Sequence, residues 1–141
     1  MVRLLLQQGA SIEAITKYKH TPLHLAVWRS RTKVVELLLE TGALTEVINK
    51  SNRTPLHYGA QEGHIAIVEL LLGKGAPIEA IDQYCVAEYG RTGAVEQLLR
   101  KGASIDALNK DNNTPLHFAA ENGHTSVVKL LKNKSAKLQS V

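Results

Sequence analysis

Aromatic residues make up only 4% of this 141-residue chain, and cysteine, methionine, tryptophan and phenylalanine occur once each. Aliphatic side chains must therefore build any core. The lone cysteine, Cys85, excludes an intramolecular disulfide and any multi-cysteine zinc site. No apolar run approaches the roughly 18 residues that a membrane span needs. The opening Met1-Val2-Arg3-Leu4-Leu5-Leu6 has an apolar stretch too short for a secretory signal. Neither charge dominates: 17 Lys and Arg stand against 13 Asp and Glu, a formal +4. That is well short of the balance usual in a dedicated nucleic-acid binder. What is present is 44% apolar residues, enough for a core and too many for a disordered tail. The expectation is a soluble domain in a reducing compartment, the cytoplasm or the nucleus, with no membrane partner.

Self-similarity organises the rest. Thr-Pro-Leu-His occurs at 21–24, 54–57 and 114–117, with gaps of 33 and 60 residues. Gly-Ala occurs at 9–10, 42–43, 75–76 and 102–103, spaced 33, 33 and 27. The leucine triplets Leu4-Leu5-Leu6, Leu37-Leu38-Leu39 and Leu70-Leu71-Leu72 keep the same register, followed by Gln97-Leu98-Leu99 and Leu130-Leu131-Lys132. The chain divides into units 1–15, 16–48, 49–81, 82–108 and 109–141, and 1–141 is one domain.

Each unit reads as a turn and two short helices. Thr21, Thr54 and Thr114 suit a helix N-cap, and Pro22, Pro55 and Pro115 suit the first helical position, where proline's missing N–H costs nothing. Ala26, Gly59-Ala60 and Ala119-Ala120 let the first helix lie close to its neighbours. Polar turns such as Gln61-Glu62-Gly63-His64 lead to a second, leucine-rich helix, which Gly42, Gly75 or Gly102 stops in the left-handed conformation. Asn52 and Asn112 fall where the turn before the threonine needs positive φ. One such pair cannot bury its leucines alone, so units must stack.

These residues resemble the ankyrin repeat: Thr-Pro-Leu-His in triplicate, Gly63-His64 and Gly123-His124, the Leu-Leu-Leu helices and the Gly-Ala ends, covering essentially the whole chain. The resemblance implies an all-α ankyrin-repeat solenoid of stacked helix-turn-helix units with β-hairpin-like fingers. It also implies partners bound on the concave face of fingers and first helices. Three departures stand out. Unit 82–108 lacks the six positions that Ser51 to Leu56 fill in the preceding unit. Asp82 there would cap a first helix through Tyr84, Cys85, Val86 and Ala87, and this unit is expected to be the weak joint, with Gln97 in a leucine position. Unit 1–15 is half a repeat. In the last unit, Lys132 and Ser135 replace a leucine and the stop glycine, as suits a water-facing cap.

Catalytic chemistry finds no foothold. His24, His57 and His117 share one repeat position, as do His64 and His124, which marks structural hydrogen-bonding groups rather than one site. His20 and His24 have the i, i+4 spacing of a zinc helix, but Pro22 puts His20 before the helix, and nothing is spaced to complete a metal site. Cys85 reads as buried and inert. No glycine run cradles a phosphate. The column Glu13, Glu46, Glu79, Asp106 is expected to lie near Lys17, Lys50 and Lys110 as solvated pairs. The family's frequent asparagine is absent from that acidic column, so hydroxylation there is not expected. No enzyme activity, cofactor or small-molecule substrate is expected.

The functional signal lies in positions that vary while the scaffold repeats. Fingers carry Lys17, Tyr18 and His20, then Lys50, Ser51 and Arg53, then Lys110, Asp111 and Asn113. First-helix ends carry Trp28-Arg29, Gln61-Glu62, Glu88-Tyr89 and Glu121-Asn122. Trp28, Arg29 and Arg53 are the leading contact candidates. Between Lys17 and Lys33 stand five basic residues and no carboxylate, which suits an acidic peptide, whereas Asp111 and Glu121 suit a polar or basic stretch. The expected role is a non-catalytic scaffold or adaptor that binds a protein or peptide, as a monomer or as part of a longer chain. The alternative is a nucleic acid or other polyanion on the basic segment 17–33.

Overall fold

A threonine followed by proline begins three helices, and a glycine or a polar turn ends most of the others. The computed structural model describes residues 1–78, 89–106, 108 and 111–140. Among these, eight helices and no strands occur: α1 Val2–Gln7, α2 Pro22–Trp28, α3 Thr32–Glu40, α4 Pro55–Glu62, α5 Ile65–Gly73, α6 Thr92–Arg100, α7 Pro115–Glu121 and α8 Thr125–Gln139. The fingers at 16–20 and 49–53 are tight turns rather than paired strands. The expected first helix at 84–87, its Asp82 cap and the buried Cys85 lie outside the described residues, as do Glu79, Glu88 and Lys110.

Thr21, Thr54 and Thr114 are the N-caps of α2, α4 and α7, each with proline at the first helical position. A cap of this kind is worth about 1 kcal/mol. The helices pack in two layers: α2 lies on α3 and α4, and α4 on α5. The second helices run on as α3, α5, α6 and α8, with α7 against α8. Gly59 sits where α2, α4 and α5 converge; a Cβ there would lie 3.4 Å from both Val27 Cγ1 and Val68 Cγ2.

The middle residue of each leucine triplet carries the core. Leu38, Leu71, Leu98 and Leu131 are at most 3% exposed, whereas Leu5 is 49% exposed. Burying each contributes roughly 2–3 kcal/mol before entropy is charged. The first residue of the triplet lies at the rim: Leu37, Leu70 and Leu130 are only half-buried. Gln97 takes that rim position, so its amide keeps access to water and the substitution weakens the unit less than its place among leucines suggests. One apolar cluster runs from Leu23 to Leu131, with α6 joining α5 to α8. A weak joint in unit 82–108 therefore rests on the six missing positions alone.

Helix ends follow backbone chemistry closely. Gly42, Gly75 and Gly102 have φ of 93°, 83° and 95°, as expected of stop glycines. Where Ser135 replaces that glycine, α8 does not stop and continues to Gln139. Asn52 and Asn112 take φ of 56° and 60°, and Lys19 takes 60° at the equivalent turn of the preceding finger. Between first and second helices a second column needs the same conformation: Ser30 (54°), Gly63 (74°), Gly90 (64°) and Gly123 (73°). A Cβ on Gly90 would meet His124 Nδ1 at 2.5 Å, so that turn is also closely packed.

Two expectations follow. Ser30→Gly relieves a left-handed serine and raises stability by up to about 1 kcal/mol, while Gly90→Ala lowers it by about 1–2 kcal/mol or more. Urea unfolding midpoints read both, and unchanged midpoints would contradict the assignment of strain. The amides of α1, whose Leu4 is 56% exposed, should exchange with solvent fastest of all the helices; strong protection there would show it docked or dimerised.

Candidate functional site

The face of interest is built on the Thr-x-x-His boxes. The backbone N–H of Thr21 donates to His24 Nδ1 (3.2 Å), and the Thr21 hydroxyl lies 2.8 Å from the same nitrogen. The amide of His24 donates back to the Thr21 hydroxyl at 3.4 Å. Thr54–His57 and Thr114–His117 repeat the arrangement, with backbone N–H to Nδ1 distances of 3.0 and 2.9 Å. Nδ1 must accept, so the ring is neutral with its proton on Nε2. In His24 that Nε2–H donates to the Arg53 carbonyl at 3.0 Å, tying α2 to the next finger.

His24 is fully buried. Burial pushes its pKa below the ordinary histidine value, and the neighbouring His20 adds to this; the bond to the Arg53 carbonyl and the more distant Glu13 carboxylate act the other way. The histidine column is thus structural, as the repeat register implies. His64 and His124 differ from it: each takes the N-cap position of a second helix without capping through its side chain.

The fingers are held by short polar side chains. Asn49 Oδ1 accepts from the amides of Ser51 (2.8 Å) and Arg53 (3.1 Å), and Thr16 Oγ1 accepts from those of Tyr18 (3.3 Å) and His20 (3.2 Å). The Lys50 amide donates to the Tyr18 carbonyl at 3.1 Å and joins the two fingers. Asn49 Nδ2 donates to His20 Nε2 (3.0 Å) and to the Tyr58 hydroxyl (2.8 Å).

This fixes a wall of rings. Tyr18 and His20 lie 6.3 Å apart, His20 and Tyr58 5.8 Å, and Tyr58 and Trp28 6.3 Å. Its ends face water: Tyr18 is 54% and Trp28 51% exposed. Lys17 Nζ lies 4.9 Å from the centre of the Tyr18 ring, and the Lys50 and Arg29 side chains are exposed on the same units. The structure therefore lines up Tyr18, His20, Tyr58 and Trp28, with Lys17 against Tyr18 and the Lys50 amide on the Tyr18 carbonyl. His20 and His24 rings are 5.7 Å apart, but both His24 nitrogens are committed to the cap and to Arg53. Among the described residues no group of three His, Cys, Asp or Glu side chains converges as a metal site would need.

Other candidates are placed differently. Arg53 is half-buried, hydrogen-bonds the Gln61 side chain and presents its carbonyl to His24, so it serves the scaffold as much as the surface. Gln61 in turn lies 3.4 Å from Glu62, and its carbonyl accepts from Arg91 Nε at 2.9 Å. Tyr89 is 45% exposed. Asp111, Glu121 and Asn122 are exposed and Asn113 is half-buried, all on the last finger and α7, and Asn122 Nδ2 donates to the Phe118 carbonyl at 2.9 Å.

One member of the acidic column needs correction, and Glu79 and Lys110 lie outside the described residues. Glu13 does not pair with the lysine column; its Oε1 accepts the Leu44 amide at 2.8 Å. A backbone donor fixed in the next unit offers the carboxylate a charge-assisted bond without ordering a flexible lysine. The one ion pair among the described residues is Arg100–Glu96 on α6, at 3.1 Å.

Sequence reading missed Tyr58 and Asn49, which hold the wall together. It also missed Ile15, Ile48 and Leu108, which are 60%, 51% and 60% exposed at one register position. The available signal was an aliphatic residue recurring immediately before the polar finger positions. A family model described as ankyrin repeats (3 copies) matches residues 1–82 and 83–140. No curated protein matches the chain.

The neutral His24 sets a pH dependence. The unfolded chain takes up a proton below about pH 6.5, the fold resists it, and stability present above that pH is lost as pH falls through the lowered native value. His24→Gln keeps a capping-box partner but cannot titrate. Urea midpoints at about pH 7.5 and about pH 5 should fall further in the parent than in the variant; equal falls would remove His24 from the account.

Proposed function

Because the chain belongs to the ankyrin repeat family, whose repeats are in general non-catalytic protein–protein interaction modules, we propose that it recognises a protein or peptide through its finger and first-helix face. The N-terminal units supply the main contact. The observation that carries this reading is Trp28, half exposed on a scaffold with few aromatic residues and backed by Tyr58. A large, rigid ring held at a surface contributes contact area at little entropic cost.

Lys17 over Tyr18, with Lys50 and Arg29 exposed on the same two units, favours an acidic segment of the partner. Asp111, Glu121 and Asn122 at the far end suit a polar or basic continuation. The role is that of a scaffold or adaptor in the cytoplasm or nucleus, and the single cysteine fits a reducing compartment. No helix among the described residues is long and apolar enough to cross a membrane.

Affinity capture from a cell lysate tests the reading, run with and without nuclease and across a salt series. Discrete proteins should survive nuclease and be lost from a bait carrying Trp28→Ala with Arg29→Glu. A contact anchor of this type costs about 2 kcal/mol or more, roughly thirtyfold in affinity. Capture that collapses with nuclease or moderate salt would instead establish the polyanion alternative on segment 17–33.

A further inference from the structure

Exposed aliphatic residues scattered singly on a protein surface carry no message. Here they recur in register. Ile15, Ile48 and Leu108 occupy the same place in three units, just before the finger turn, and each is at least half exposed. Asn49 is 4% exposed, its side chain binding its own finger, while its neighbours Ile48 and Lys50 are both exposed. Ile15 and Lys17 flank Thr16, which is itself exposed while its hydroxyl binds the finger amides, and the Lys50–Tyr18 backbone bond joins these two fingers. An exposed aliphatic residue and an exposed lysine thus lie two positions apart on each of two adjacent fingers, the first of which also carries the half-exposed Tyr18.

We propose that the partner segment recognised by this face is acidic and amphipathic: its aliphatic or aromatic side chains pack on Ile15, Ile48, Tyr18 and Trp28, and its carboxylates meet Lys17, Lys50 and Arg29. This rests on the protein-recognition reading above and specifies its ligand. Charge complementarity selects the sign, since no carboxylate lies between Lys17 and Lys33. The aliphatic side chains select a peptide over a nucleic acid, because a sugar-phosphate backbone gains nothing from isoleucine while losing hydration against it.

Trp28 is the only tryptophan, so its fluorescence reports on this face in the unmodified chain. A random dodecapeptide library is selected on the full chain, and the recovered peptides are synthesised and titrated against Trp28 emission. The expected peptides are net negative with aliphatic or aromatic residues interspersed. Ile15→Ser with Ile48→Ser, and separately Lys17→Glu with Lys50→Glu, should each weaken them on the order of tenfold. The urea midpoint of each exposed double variant should stay near the parent's, which separates lost contact from lost fold. Peptides that depend on Trp28 but lack the acidic and apolar pattern, or that ignore Ile15 and Ile48, overturn this inference and leave protein recognition standing. An empty selection, peptides indifferent to Trp28→Ala, or an oligothymidylate bound in preference to every peptide would overturn both.

Discussion

A neutral, buried histidine holds this architecture in register. His24 spends one ring nitrogen on the cap of its own helix and the other on the carbonyl of Arg53 in the following unit. A local device, the N-cap, thereby becomes a link between units. Leucine burial supplies most of the driving force but has no direction; the cap and its onward bond set how one helix pair sits on the next. The aromatic wall depends on that placement, because Tyr58 in one unit meets His20 and Trp28 in the unit before it.

The scaffold was legible in the sequence because its physics is local and repeated. A threonine before a proline, a glycine after a leucine run and an asparagine at a turn each impose one backbone conformation, and recurrence at a fixed period removes the ambiguity of a single occurrence. Ser30 shows the limit: nothing in a lone serine signals a left-handed φ, and only its register with Gly63, Gly90 and Gly123 does so. Gln97 shows another. Its place among leucines suggested a damaged core, but the rim position of Leu37 and Leu70 depends on how neighbouring helices pack.

The site was legible only in part, for a related reason. Residues such as Trp28 and Tyr18 stand out because they vary against a constant background. Tyr58 and Asn49 do not, because their importance lies in contacts that cross from one unit to the next. Ile15 and Ile48 were passed over for the opposite reason: aliphatic residues repeated in register look like core until their exposure is measured. The acidic column misled in the same direction, since a carboxylate near lysines in sequence found a backbone amide nearer in space.

The division of labour across the face follows from which side chains the scaffold consumes. Arg53 and Gln61 are drawn into hydrogen bonds that brace a finger against α4, and Gln61's carbonyl anchors Arg91 at the entry to α6. A partner gripping either residue would compete with those bonds and lose part of the gain. Trp28 packs beside Tyr58 at a tilt and Lys17 lies over Tyr18, contacts that pre-position them without using up their outward surfaces. Lys50 contributes its amide to the neighbouring finger and leaves its side chain exposed. Ordering such groups before a partner arrives lowers the entropy lost on binding. The N-terminal fingers thus combine rigidity with exposed charge and apolar area, and the middle of the face is braced from within.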